Sequence, residues 1–194
     1  EILLEMYWFG SDVTGRRFAE ALIERARRGV RVCVTYDAVG SWETDAAQFD
    51  RMREAGCDVH VYNPPKRWRF RFKVGNRRDH RKLLVIDGHV GMTGGVNLAD
   101  PWAPVEQGGQ GFRDNLICIE GPAVADMRTI FGATWPHPLP PTAPPERAGD
   151  LTVQVIANDL RKNRRRIERA YRRAIRNAKR RVLIENSYFV PSWS

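Results

Sequence analysis

The chain has 194 residues, of which 42% are hydrophobic and 10% aromatic. This composition is typical of a folded domain with a substantial core, and it excludes a disordered or low-complexity protein. Lys and Arg number 32 against 23 Asp and Glu, so the net charge is +9. We therefore expect an anionic partner, namely nucleic acid, an acidic membrane surface or a phosphate-bearing substrate.

The first third of the chain alternates between strand-like and helix-like patterns. Short apolar runs predict strands over residues 2–9, 30–37 and 57–62. Apolar residues at helical spacing predict helices over residues 14–29 and 43–55, and a glycine, Gly29 or Gly56, ends each of them. This β-α-β-α-β order indicates a layered α/β/α domain with a mostly parallel or mixed sheet.

The middle of the chain opens with a basic, aromatic segment over residues 63–79. Such a segment suits an interfacial lipid surface or a nucleic-acid groove, with a solvated sheet edge as the plainer alternative. The remaining elements predicted here are a strand over residues 82–86, a turn at Asp87-Gly88 followed by a short strand, a strand over 115–120 and a helix over 122–135.

Residues 136–150 are rich in proline and are predicted to form a semi-rigid linker. A strand over residues 151–157, a basic helix over 163–180 and a strand over 181–192 follow. The last strand resembles the first, because aligning Ile2 with Val182 also places Glu5 on Glu185. We therefore predict a first domain over residues 1–135 and the opening of a second, similar domain over 151–194, with a repeat of about 180 residues.

His80 and Lys82 lie two residues apart in a predicted strand, so their side chains are expected on one face, roughly 7 Å apart along the chain. The apolar run after Lys82 anchors this strand in the sheet. Gly94 and Gly95 permit close approach of the backbone, and Asn97 adds an amide donor. An imidazole that attacks or transfers a proton, together with ammonium and amide donors, is suited to phosphate chemistry.

This pattern resembles the HKD motif of the phospholipase D superfamily, His-x-Lys-x4-Asp-x6-Gly-Gly-x-Asn. Its six fixed positions are matched, with every spacing kept, at His80, Lys82, Asp87, Gly94, Gly95 and Asn97. The wider chain, including the runs LLEMYWFGSD and FRDN, is similar to the bacterial cardiolipin synthase branch. Proteins of that branch carry two HKD motifs in two similar α/β halves, so the resemblance implies the first half and the opening of the second.

The resemblance implies a mechanism with two histidines. His80 is expected to be one of them, with nucleophilic attack on the substrate phosphorus as its favoured role. Lys82 and Asn97 are expected to bind phosphate oxygens and to stabilise charge in the transition state, next to the glycine pair Gly94 and Gly95. No metal ion and no organic cofactor is implied.

Two carboxylates complete the set of candidate catalytic residues. Asp114, in the run FRDN, is expected to hydrogen-bond the far nitrogen of the histidine and to fix its tautomer, with a surface or capping carboxylate as the alternative. Asp87 belongs to the motif and is included for that reason. Its place in a turn beside Gly88 nevertheless favours a structural role.

The sequence contains one His-x-Lys motif, whereas the implied mechanism needs two. We expect a fragment of a longer enzyme whose second half supplies the other motif, with a homodimer partner as the less favoured source. The expected reaction transfers a phosphatidyl group between two phosphatidylglycerol molecules and releases glycerol, at the cytoplasmic face of the cell membrane. The alternatives are a phospholipase D or phosphodiesterase that hydrolyses phospholipid or nucleic acid, and a non-catalytic basic module that binds membranes or nucleic acid.

Overall fold

A computed structural model describes residues 1–64, 78–158 and 165–186. The chain divides into two compact units, Glu1–Val155 and Ile156–Ser194. The first unit contains β1 (Ile2–Met6), α1 (Val13–Arg27), β2 (Val32–Asp37), α2 (Ala46–Glu54), β3 (Asp58–Tyr62), β4 (Leu83–Ile86), β5 (Val90–Gly94), β6 (Leu116–Glu120) and α3 (Ala123–Gly132). The second unit contains α4 (Arg166–Asn177). No helix within the described residues has the length and apolar character needed to cross a bilayer.

The strands form one six-stranded sheet in the order β3-β2-β1-β4-β5-β6. Strand β2 pairs in parallel with β1 and with β3, and the helices α1 and α2 make the crossovers. The pairs β1–β4, β4–β5 and β5–β6 are antiparallel. The predicted mixed α/β sheet is therefore confirmed.

Alternation along the strands produces two apolar cores, one on each face of the sheet. Leu4 and Val34 face the layer formed by α1 and α2. Leu3, Cys33 and Val85 face α3 on the other side. Burial of a large aliphatic side chain contributes roughly 1.5–3 kcal/mol to the free energy of folding. Such side chains lie between the sheet and the helices on both faces, so the predicted α/β/α layering is confirmed.

The first two helices begin and end where the sequence predicts, to within a few residues. Asp12 caps α1 by accepting a hydrogen bond of 2.9 Å from the backbone N–H of Gly15, and Asp45 caps α2 in the same way. Gly29 and Gly56 follow the two helices with φ of 83° and 97°. Positive φ is readily adopted by glycine, which explains both stops.

The strand predicted over residues 151–157 is wrong, because residues 151–158 have no regular secondary structure. A strand exists through hydrogen bonds to a partner, and the sheet of the described residues does not include this segment. The same holds for residues 181–186 of the last predicted strand, whereas residues 187–194 lie outside the described part. The basic helix is present as α4, and residues 65–77 of the basic, aromatic segment also lie outside.

One edge of the sheet collects the connections that carry the motif residues. The parallel strands β1 and β2 end at this edge, and the antiparallel β4 begins there, because Glu5 pairs with Leu83. Strand β5 ends and β6 begins at the same edge, because Gly94 pairs with Leu116. We call this end of the strands, where β1, β2 and β5 finish, the site edge. Ligands of α/β sheets bind where the parallel strands end.

Candidate active site

The side chains of His80 and Lys82 converge on the ring of Tyr7, the residue just beyond β1. The ring centroids of Tyr7 and His80 are 4.5 Å apart, with the ring planes inclined by 55°. The Nζ atom of Lys82 lies 5.1 Å from the centroid of the Tyr7 ring, which is within cation–π range. The imidazole and the ammonium group therefore project to the same side, as their spacing predicts.

Lys82 is only 4% exposed, although it carries an ammonium group. Burial lowers its pKa from 10.5 to about 8, and the carboxylates of Asp114 and Asp79 act in the opposite direction. Nζ donates a hydrogen bond of 2.9 Å to the carbonyl oxygen of His80, and the hydroxyl of Thr93 donates one of 2.8 Å to the Lys82 carbonyl. The side chain is thus mostly charged at neutral pH and held at the start of β4.

His80 is exposed at the site edge, so a substrate can reach its ring. Partial desolvation lowers the pKa of His80 from 6.5, and the Lys82 ammonium lowers it further. The carboxylates of Asp79 and Asp37 oppose this shift without reversing it. The imidazole is therefore mainly neutral at pH 7, which is the form whose lone pair can attack phosphorus.

Asn97 lies next to the same end of β1, where it is 6% exposed. Its Oδ1 atom accepts a hydrogen bond of 3.2 Å from the backbone N–H of Trp8. Trp8 follows Tyr7 directly in the chain. Asn97 therefore contacts Trp8, and His80 and Lys82 contact the residue just before it. Because Oδ1 is used in this bond, the Nδ2 amide is the donor that Asn97 has for a phosphate oxygen.

The glycine pair makes room for close packing at the end of β5. A Cβ atom on Gly94 would lie 2.1 Å from the carbonyl oxygen of Asn115, and a Cβ on Gly95 would lie 2.2 Å from Oδ1 of Asp114. Neither distance is compatible with a side chain in the present arrangement. Gly94 therefore permits the pairing of β5 with β6, and Gly95 admits the Asp114 carboxylate.

Asp114 reaches the site on the side of Lys82. Its Oδ2 atom accepts a hydrogen bond of 3.0 Å from Nε1 of Trp102, and its charge raises the pKa of Lys82. The carboxylates that act on the charge of His80 are instead Asp79 and Asp37. The contact expected between Asp114 and the histidine ring is thus replaced, in the described residues, by one with Trp102.

Asp87 lies in the turn between β4 and β5, at the opposite edge of the sheet. It has a φ of 51°, and Gly88 follows with a φ of 70°, which is the backbone of a tight hairpin turn. A strand rises about 3.3 Å per residue, so Asp87 lies about 16 Å along the chain from Lys82. The structure therefore brings together His80, Lys82, Asn97 and Asp114 but not Asp87.

A family model described as the cardiolipin synthase, phospholipase D-like domain matches residues 1–135. The chain belongs to this family. It is 33% identical over 205 residues to the major cardiolipin synthase ClsA of Bacillus subtilis, covering 100% of this chain and 42% of the relative. It is 36% identical over 200 residues to a cardiolipin synthase of Geobacillus kaustophilus, covering 98% and 39%. The chain thus spans about two fifths of the length of these relatives.

Solved structures share the fold at low sequence identity. A polyphosphate kinase from Porphyromonas gingivalis superposes with a TM-score of 0.51 at 17% identity, over 72% of this chain and 22% of that one. NucT from Helicobacter pylori superposes with a TM-score of 0.50 at 16% identity, over 69% and 77%. The resemblance to the phospholipase D superfamily and its cardiolipin synthase branch is confirmed by the family match.

Three aromatic residues of this phospholipase D-like domain were not predicted to belong to the site. Tyr7 contacts the motif pair, while Trp8 packs edge-on against Trp102 with ring centroids 5.5 Å apart. An aromatic pair directly after a buried strand is a usable signal, because that position is where α/β sheets bind ligands. Trp102, in contrast, is brought in by a long connection, which sequence periodicity does not position.

Asp37, at the end of β2, caps the loop that follows this strand. Its Oδ1 atom accepts hydrogen bonds of 2.8 and 3.1 Å from the backbone N–H groups of Val39 and Gly40. Its Oδ2 atom also accepts one of 2.9 Å from the backbone N–H of Asp79, next to the motif histidine. Within the described ranges, no group of three or more histidine, cysteine or acidic side chains is arranged to hold a metal ion.

Proposed function

We propose that this chain forms the first catalytic half of a cardiolipin synthase-like phosphatidyltransferase. The observation that carries the proposal is the convergence of His80 and Lys82 on Tyr7 at an open edge of the sheet, with Asn97 beside them. A neutral, exposed imidazole next to a buried ammonium group suits attack on a phosphodiester. The family match and the cardiolipin synthase relatives support the lipid substrate.

In the proposed reaction the lone pair of the His80 imidazole attacks the phosphorus of one phosphatidylglycerol. The N–P bond forms as the P–O bond to the headgroup glycerol breaks, and a second histidine gives its proton to the leaving glycerol oxygen. The hydroxyl of a second phosphatidylglycerol then loses its proton to that histidine and attacks phosphorus. The N–P bond breaks, cardiolipin leaves and His80 is restored.

Three side chains assist this chemistry in distinct ways. The Lys82 ammonium and the Asn97 amide donate hydrogen bonds to the non-bridging phosphate oxygens, where negative charge develops in the transition state. Asp114 balances the ammonium and, through Trp102, fixes the end of the connection that precedes β6. The pKa of Lys82, about 8, leaves the ammonium charged at neutral pH for this role.

The second histidine is proposed to come from a second HKD motif in the same full-length chain, and less favourably from a second copy. The sequence of 194 residues contains one His-x-Lys motif. The two-histidine reaction needs a proton donor on the far side of the phosphorus from His80. That donor has to be supplied by residues other than those at the site edge of this chain.

A membrane surface suits the residues around the site. Five apolar side chains in the connections at the site edge are exposed, and we call them the apolar rim: Val13 51%, Val39 45%, Trp42 71%, Val105 66% and Phe112 53%. Exposed apolar side chains in connections at the same end of the sheet favour insertion into an interface. The net charge of +9 fits the anionic cytoplasmic leaflet, where we propose peripheral binding.

The test is to incubate the complete natural protein with vesicles of labelled phosphatidylglycerol. Cardiolipin and free glycerol in equal amounts support phosphatidyl transfer. Phosphatidic acid without cardiolipin means that water is the acceptor and that the protein is a hydrolase. Vesicle binding without turnover means that the basic module binds membranes but does not catalyse.

A further inference from the structure

A cluster of buried charged groups flanks the motif histidine in sequence and in space. Glu5 of β1 is 1% exposed and Asp79 is 5% exposed. Arg81 joins them, with a nitrogen 3.0 Å from Oε1 of Glu5 and its Nε 3.0 Å from Oδ1 of Asp79. Because Asp79 and Arg81 stand on either side of His80, the contacts that hold them also hold the backbone of the histidine.

The same two neighbours of His80 are tied to the central sheet and to a helix packed on it. The backbone N–H of Asp79 donates to Asp37 at the end of β2, at 2.9 Å. The guanidinium of Arg81 donates a hydrogen bond of 3.3 Å to the carbonyl oxygen of Ile130 in α3. Movement of the His80 backbone would therefore disturb contacts to the central sheet and to a helix.

The cluster places two carboxyl groups opposite one guanidinium. Oε1 of Glu5 forms an ion pair with the guanidinium of Arg81 and accepts a hydrogen bond of 2.6 Å from the hydroxyl of Thr134. Oε2 of Glu5 is buried and has no hydrogen-bond partner among the described residues. Burial, followed by the neighbouring Asp79 carboxyl, raises the pKa of Glu5 well above its usual value. A proton on Oε2 would satisfy this atom and convert a repulsive contact with Asp79 into a hydrogen bond.

We propose that Glu5, Asp79 and Arg81 form a positioning cluster for His80 in which the two carboxyl groups hold one proton between them. The cluster then carries one negative charge against one positive charge. It fixes the backbone of His80 without adding net charge beside the imidazole. Its catalytic consequence rests on the proposed function, whereas the shared proton does not.

Two isosteric substitutions test the charge count. Glu5→Gln supplies a permanent N–H toward Asp79, which keeps the negative charge. Asp79→Asn supplies an N–H toward Glu5, and Glu5 then carries the negative charge instead of residue 79. Each single variant is expected to keep kcat within about threefold of the natural protein. The double variant leaves the half-buried Arg81 without either carboxylate of the cluster, so the two substitutions are expected to be far from additive. We expect it to lose about a hundredfold in kcat with little change in KM, because the histidine is misplaced.

A readout independent of turnover is the infrared absorption of a protonated carboxyl group in the complete protein at neutral pH. The absorption is expected in the natural protein and is expected to be absent from both single variants. The matched control is Glu24→Gln, which removes an exposed carboxylate 2.6 Å from Arg28 and should leave the signal and kcat unchanged.

The proposal is overturned if the natural protein lacks this absorption, or if Glu5→Gln alone loses as much kcat as the double variant. Thermal unfolding of each variant shows whether it folds, and if the double variant does not fold, the infrared result of the single variants decides. An inactive natural protein that shows the absorption would contradict the proposed function and leave the shared proton standing.

Discussion

The ammonium group of Lys82 lies 5.1 Å from the centre of the Tyr7 ring, and the same ring contacts the imidazole of His80. A lysine that is 4% exposed needs compensation for lost hydration. The face of an aromatic ring and the carbonyl oxygen of His80, at 2.9 Å, provide it. A buried charge of this kind is ready to bind a phosphate oxygen with little loss of water.

Replacing Lys82 separates its catalytic role from its structural one. Lys82→Met is expected to lower kcat by about 10²–10³-fold, because a donor to the phosphate oxygens is lost. The thermal unfolding midpoint should change little, because the cost of burying the ammonium, which lowers its pKa, offsets the contacts that the ammonium makes. Lys179→Met, at an exposed lysine, is the matched control for both assays. A midpoint that drops together with activity would instead make Lys82 a structural residue.

Alanine substitutions at the two motif glycines are expected to affect activity and stability differently. Gly95→Ala places its Cβ against the end of the Asp114 side chain, which can swing away, so activity should fall while stability changes little. Gly94→Ala places its Cβ against the backbone of Asn115 and should cost about 1–3 kcal/mol of unfolding free energy. Chemical denaturation and kcat, measured on both variants, check this. Equal loss of stability in the two would contradict it.

Asp87 is expected to be dispensable for catalysis, despite its place in the motif. Asp87→Gly keeps the positive φ of 51° at no steric cost and should retain kcat within about twofold. Asp87→Ala should cost about 1–2 kcal/mol of stability, since alanine resists this backbone conformation, again without a direct effect on kcat. Steady-state kinetics and thermal unfolding of both variants are the measurements. A loss of more than tenfold in kcat for Asp87→Gly would assign Asp87 to the chemistry.

The dependence of kcat/KM on pH is expected to be bell-shaped, because the reaction needs a neutral His80, a protonated second histidine and a charged Lys82. The acid limb should lie below pH 6.5, since desolvation and Lys82 lower the pKa of His80. On the alkaline side, the second histidine sets one loss of activity, and a further loss is expected near pH 8, where the Lys82 ammonium loses its proton. Lys82→Arg should remove the loss near pH 8 from whatever activity remains, because a guanidinium stays charged. A loss near pH 8 that persists in this variant would belong to another group.

Sequence patterns predicted the layers of the fold well, for reasons visible in particular elements. Helices α1 and α2 have side-chain caps at Asp12 and Asp45 and glycines just beyond their last turns, and these signals are local. The apolar alternation of residues 151–157 is equally clear, yet no strand forms there. Alternation indicates that a segment can pair as a strand, and pairing also needs a neighbouring strand, which the described residues do not supply to this segment.

The motif spacing predicted the site residues that lie close together in sequence. The residues that tertiary contacts bring to the site were missed. His80 and Lys82 project to the same side, as their spacing of two residues predicts, although both lie just before β4, which begins at Leu83. Tyr7 joins them only because Glu5 pairs with Leu83 across the sheet, a register that no local pattern reveals. The role of Asp114 depends in the same way on Trp102, which a long connection brings to it.

The central claim is that the His80 imidazole accepts the phosphatidyl group, and trapping that intermediate tests it most directly. The complete protein would be mixed with labelled phosphatidylglycerol, quenched in alkali and digested, and the labelled peptide mapped by mass spectrometry. We predict a phospho-adduct on His80 that is absent from His80→Asn. An adduct that forms undiminished in His80→Asn would show that another residue is the nucleophile.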